Sequence, residues 1–226
     1  MKNRFLQVLE SGRTLVLDGA TGTNLQQRGL SRGMPAEIWL MEHPEHILAL
    51  EKDFIAAGSD IILTCTFGGT AIRLAHSNLE GRVEEVNRRA VEIAHQASAG
   101  TEVFVAGSMG PTGQLIQPLG PLTESEVRGA FSEQARILTS AGVDLLVIET
   151  QYDLTEAKAA IQAARSVSDL PIVVSFSYDR GVRTMMGVKT SQVMKTYTDL
   201  GAVAIGANCG TTLENMEKVV AEYGAA

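Results

Sequence analysis

The sequence runs to 226 residues and is 45% hydrophobic, enough apolar material for one large α/β domain, so residues 1–226 are read as a single domain. Its net charge of −7 comes from acidic and basic residues mixed throughout, which excludes the basic stripe that a nucleic-acid partner needs. Residues 1–10 contain no apolar signal region, and no apolar run approaches the roughly 20 residues that cross a bilayer, so no membrane contact is expected and the cytoplasm is the expected location.

The first strand is expected at residues 15–17, followed by an irregular stretch at 29–35 and an amphipathic helix over 44–57. That helix has Pro44 at its first position and Ile47, Leu50, Phe54 and Ile55 on one face. Strand 61–63, helix 82–97 and strand 103–106 come next, then a glycine- and proline-punctuated loop over 107–122. A helix over 123–140 opens with Thr123 and has Glu126 three residues on, the pattern of a capping box. Strand 145–148, helix 155–166, strand 172–174, helix 191–200, strand 202–205 and helix 212–223 complete the series.

One junction recurs, in which a helix ends in Gly and a branched-aliphatic strand follows at once. It appears as Ala57-Gly58-Ser59-Asp60, as Ala141-Gly142-Val143-Asp144 and as Leu200-Gly201. The strands are apolar without alternation, as in strands buried on both faces. Alternating β and α units imply a parallel sheet with right-handed crossovers, either doubly wound or a (β/α)₈ barrel. About six of the eight units of a barrel are present, so the chain reads as an open sheet or a C-terminally incomplete barrel.

Ligands in such folds bind at the carboxyl ends of the strands, so the residues that follow each apolar run define the candidate site. Asp18, Glu149 and Cys209 fall there, with Gly19, Gly22, Cys65, Gly107–Gly113 and Asn208. An unpaired carboxylate after buried aliphatics is costly, and no Lys or Arg stands at the other strand ends. Asp18 and Glu149 either grip a ligand ammonium group, or cap a turn and a helix respectively. The backbone around Gly19 and Gly22 forms either a carboxylate or phosphate seat or a plain tight turn. Cys209 is a nucleophile, a metal ligand or inert. A catalytic thiol would want a histidine base, and His43, His46, His76 and His95 all fall in helical segments. The His43–His46 pair sits at a helix start, which reads as a solvated cap.

In this order and spacing, the stretches Leu17-Asp18-Gly19-Ala20-Thr21-Gly22-Thr23, Ala57-Gly58-Ser59-Asp60-Ile61-Ile62 with Thr64-Cys65-Thr66-Phe67, Gly110-Pro111-Thr112-Gly113, Ile148-Glu149-Thr150 and Gly206-Ala207-Asn208-Cys209 carry a resemblance. The chain resembles the homocysteine S-methyltransferase family, which includes the homocysteine domain of cobalamin-dependent methionine synthases and betaine-dependent relatives. The resemblance implies a (β/α)₈ barrel that transfers a methyl group to the zinc-activated thiolate of homocysteine, giving methionine. It implies that Asp18 and Glu149 hold the substrate's amino group, that Gly19 seats its carboxylate and that Asn208 joins the substrate-binding residues. Cys209 matches the first of three zinc-binding cysteines and is the expected catalytic and metal-ligating residue. The family's Gly-Gly-Cys-Cys motif, which carries the other two, is absent from these 226 residues, so the zinc site is expected to be incomplete. Cys65 stands where many relatives have Asn. The methyl donor is expected from another domain or partner, such as a corrinoid protein, cobalamin or a folate. The rival reading is a noncatalytic amino-acid-binding barrel fragment that self-associates through open strand edges into a homo-oligomer.

Overall fold

The computed structural model describes residues 3–210 and 212–225, so Met1, Lys2, Thr211 and Ala226 of the expected 1–226 domain lie outside it. Helix α1 (Arg4–Glu10) starts on Asn3, whose side chain accepts from the N–H groups of Phe5 and Leu6. Residues 15–17 then run to α2 (Thr21–Gln27), α3 (Ala36–Glu42) and α4 (Pro44–Ala56). After β1 (Ile61–Leu63) come the short α5 (Ala71–Leu74) and the long α6 (Val83–Ser98). Four further strands, β2 (Phe104–Met109), β3 (Leu145–Gln151), β4 (Ile172–Phe176) and β5 (Ala204–Ala207), alternate with α7 (Glu124–Ala141), α8 (Leu154–Arg165), α9 (Thr190–Asp199) and α10 (Leu213–Ala225).

All neighbouring strands are parallel and lie in the order β1-β2-β3-β4-β5. A doubly wound sheet reverses its strand order at a switch point; this one winds in a single direction, and Leu17 extends it by a parallel bridge to Ile61. The fold is therefore α/β of the (β/α)₈ barrel type, with five regular strands and the Leu17 bridge in the sixth position. The first segment differs from the buried strand expected there: Val16 is 52% and Leu17 43% exposed, because neither side chain, unlike Leu15, packs into an apolar cluster.

The repeated Gly junctions form as the sequence requires. Gly58, Gly142 and Gly201 all have positive φ, and each is followed by paired backbone bonds back into its helix, such as Gly142 N–H to Thr139 O and Val143 N–H to Leu138 O. The Asp that follows two of these glycines clamps the preceding strand. Asp60 Oδ2 accepts from Val16 N–H at 3.0 Å and Asp144 Oδ2 from Val105 N–H at 2.8 Å, while the N–H of each Asp donates to the carbonyl of the same residue. The expected capping box of Thr123 and Glu126 is present on α7.

Two apolar clusters fill the layer between sheet and helices, one of them joining Leu25, Trp39, Leu40, Ile47, Leu50 and Cys65. A third packs Phe5 of α1 against Ile61, Phe104 and Leu145, the first residues of β1, β2 and β3. Asn3 Nδ2 also donates to Asp144 O, and the Arg4 guanidinium lies 3.9 Å from the Phe104 ring centre. Helix α1, which the hydrophobic pattern did not reveal, therefore covers the end where the strands begin and leaves the carboxyl end for ligands.

Gly129 inside α7 and Gly142 just after it make an internal comparison. Gly129 faces open space in the helix, so Gly129→Ala is expected to stabilise by about 0.5–1 kcal/mol, whereas Gly142→Ala, at φ +98°, is expected to cost about 1–2 kcal/mol. Thermal unfolding of the two variants should move Tm in opposite directions.

Candidate active site

The rim is assembled from the ends of five strand segments: the Leu17 segment, β2, β3, β4 and β5. Asp18 follows the Leu17 bridge; its Oδ2 accepts from Leu63 N–H at 2.8 Å, while its Oδ1 is buried with no partner. Glu149 was expected after β3 but lies within it, because pairing with β4 continues to Gln151. Its Oε1 accepts from Ser108 Oγ at 2.5 Å, and Ser108 in turn belongs to β2, which outruns its apolar stretch.

Asn208 ties the far side together. Its Oδ1 accepts from Thr150 N–H at 3.1 Å and from Ser175 Oγ at 2.6 Å. Its Nδ2 lies 2.8 Å from Thr150 Oγ1, 3.2 Å from Cys209 Sγ and 3.4 Å from Glu149 Oε2. One amide thus spans the carboxyl group on β3 and the thiol after β5. Cys209 is exposed, and both it and Thr150 adopt left-handed conformations, with φ +57° and +58°. Non-glycine residues rarely do so, and such strain persists only where the surroundings enforce it. Gly210 is enforced as well, since a Cβ there would lie 2.7 Å from Ser177 Oγ and 3.0 Å from Tyr178 N. Gly19 rests on the Phe54 ring, 3.0 Å from where its Cβ would be, and leads into α2, whose N-cap Ala20 offers no side-chain cap.

Burial dominates the electrostatics. It pushes the Asp18 carboxyl up to about 7 against the Leu63 N–H bond, with the negative charge of Glu149 adding to the rise. Burial also raises Glu149, opposed by the hydroxyls of Ser108 and Thr150. Among the described residues no ion pair involves either group. The structure thus brings Asp18, Glu149, Asn208 and Cys209 to one rim, with Gly19 adjoining Asp18.

Cys65 is not part of that rim. It is buried in the apolar layer beside Trp39 and Leu50, and burial together with Glu37 and Glu51 raises its thiol well above the ordinary range. His46 stacks on Trp39 with ring centres 4.7 Å apart, and His43 lies 3.4 Å from Glu45, which makes the pair part of a helix start. Among the described residues, no group of three His, Cys, Asp or Glu side chains is placed to hold a metal ion. These residues therefore do not fit a catalytic zinc, which takes three protein ligands.

Reading the sequence for strand ends missed Ser108 as a partner of Glu149 and passed over Glu51 on α4. Glu51 had a signal: it falls four residues after Ile47, inside the apolar stripe.

A parallel barrel-type sheet with buried carboxyl groups and an accessible thiol on its carboxyl rim defines a class of small-molecule enzyme folds. Within that class, residues 15–226 match the family model for homocysteine S-methyltransferase, and the chain belongs to that family. It is 28% identical over 217 residues to methionine synthase of Mycobacterium tuberculosis, which covers 89% of this chain but only 18% of that protein. The crystal structure of the oxidised Escherichia coli homocysteine methyltransferase MmuM superposes with a TM-score of 0.85 at 25% identity, covering 99% of this chain and 82% of that one. The metallated form of the same enzyme gives 0.84 at 24% identity over 97% and 83% of the two chains.

Asp18 carries a testable pH signature. Its folded value lies above its unfolded one, so its contribution to stability is complete below pH ~4 and is lost as pH rises through about 7. Denaturant unfolding of Asp18→Asn should show a flatter stability profile than wild type between those limits.

Proposed function

We propose that this chain, taken as one domain over residues 1–226, binds homocysteine and presents its sulfur for methyl transfer, yielding methionine. The observation that carries the reading is a pair of partly buried carboxyl groups with no ion-pair partner among the described residues, one of which, Glu149, is joined through the Asn208 amide to the exposed Cys209 thiol. An amino acid supplies the missing cation: its ammonium group sits between Asp18 and Glu149, and its carboxylate meets the backbone around Gly19. Asn208 sets the geometry between that head group and Cys209, beside which the substrate sulfur lies. The methyl donor, carried by cobalamin or a folate on another domain or partner such as a corrinoid protein, approaches from the open side of the rim.

Methyl transfer needs a thiolate, and a free thiol near pKa 8.5 is mostly protonated at neutral pH. Zinc would supply that activation in this family, with Cys209 as one ligand. The described residues offer no three-ligand set for it.

Calorimetry with L-homocysteine and L-methionine tests the reading. Losing a charge-assisted contact costs about 1.5–3 kcal/mol, so Asp18→Asn and Glu149→Gln should each weaken binding roughly 10- to 100-fold. Wild-type affinity in both variants would refute the ammonium seat. Zinc added to the 226-residue chain is expected to give no tight stoichiometric complex and to leave L-methionine affinity unchanged.

The exposed Val16 and Leu17 edge favours a second reading, a noncatalytic amino-acid-binding fragment that self-associates. It predicts a dimer on sizing chromatography that Leu17→Lys converts to monomer.

A further inference from the structure

Glu51 on α4 is 4% exposed, and neither of its carboxyl oxygens has a hydrogen-bond partner. Asp18 Oδ1 is buried and orphaned in the same way. Gly19, next to Asp18, rests on Phe54, which lies one helical turn after Glu51 on α4, so α4 brings Glu51 towards Asp18, and the Asp18 charge acts on it. The other groups facing the two carboxyls are acidic or neutral: Glu149 acts on Asp18 from β3, Cys65 feels Glu51 from the turn after β1, and Glu37 of α3 acts on Cys65. The cations nearby are engaged elsewhere. Arg28, just after α2, pairs with Asp53, and Arg73 of α5 acts on Glu37. No Lys, Arg or His among the described residues offsets Glu51.

An ionised carboxylate without donor or cation is too costly to bury. A proton resolves this, because it removes the charge and turns one orphaned oxygen into a donor for another.

We propose that Glu51 stays un-ionised as the positioning residue of Asp18, and that Asp18 holds a proton in the empty site which the ammonium group of an incoming amino acid expels to solvent. This rests on the amino-acid reading above. In the exchange the Asp18 O–H bond breaks and its proton passes to the buffer. The ammonium N–H then donates to the carboxylate, while Glu51 keeps its own proton and donates to Asp18 Oδ1. The order follows from the field: Asp18 titrates near neutral pH, and its charge holds the Glu51 proton more tightly.

L-Methionine, which has no titrating thiol, is the probe. Calorimetry at pH 6.5 in two buffers of different ionisation enthalpy should show net proton release on binding to wild type. Glu51→Gln keeps a donor for Asp18 and should bind within about twofold of wild type, while Glu51→Leu loses it and should bind roughly tenfold more weakly. Binding without proton release, or unchanged affinity in Glu51→Leu, overturns the proposal.

A ligand-free arm separates its failure from that of the parent reading. If Glu51 is un-ionised, wild type loses stability with rising pH, and the advantage of Glu51→Gln in urea unfolding should widen from pH 5 to pH 8.5. A gap independent of pH overturns the un-ionised Glu51. A widening gap with no L-methionine binding to wild type supports the un-ionised Glu51 but refutes both the amino-acid reading and the proton expulsion.

Discussion

Two partly buried carboxyl groups at the same end of a parallel sheet, neither ion-paired among the described residues, are the constraint around which the rim is organised. Asp18 meets one backbone N–H and Glu149 meets hydroxyls and an amide, yet each is still pushed towards its neutral form by burial. Hydrogen bonds alone do not balance such a pair. Such an arrangement is stable when protons or a bound cation occupy it, which is what the proposed ammonium group would supply.

The polypeptide around that pair is held with little freedom. Thr150 and Cys209 both sit in left-handed conformations, and Gly210 is wedged where no side chain fits. Asn208 reaches both residues as well as Ser175 and Glu149, so a single amide locks the ends of β3, β4 and β5 together. Strain concentrated beside an exposed thiol is the usual mark of a site whose geometry is set before ligand arrives. The family to which the chain belongs, and its superposition on homocysteine methyltransferase MmuM, agree with the barrel-type fold that carries these strand ends.

The sheet has one well-closed end and open flanks. Helix α1 packs over the start of β1, β2 and β3, while the Leu17 segment leaves apolar side chains in solvent. The single exposed thiol follows the same logic: Cys65, which might have accompanied Cys209, faces the helical layer and serves as apolar filling.

Much of this was legible in the sequence. The Gly junctions at 58, 142 and 201 work through local backbone sterics, and the apolar runs reflect burial on both faces, so the alternation of helix and strand needed no tertiary information. The rule that ligands meet strand ends was enough to single out Asp18, Glu149, Asn208 and Cys209 as neighbours. Other features depend on what lies across space. Strand order separated a barrel from a doubly wound sheet, since both share one local pattern. Only packing turned Cys65 away from the rim, left Val16 and Leu17 exposed, and buried Glu51 within the field of Asp18, because burial and charge at a residue are properties of the groups the fold brings to it.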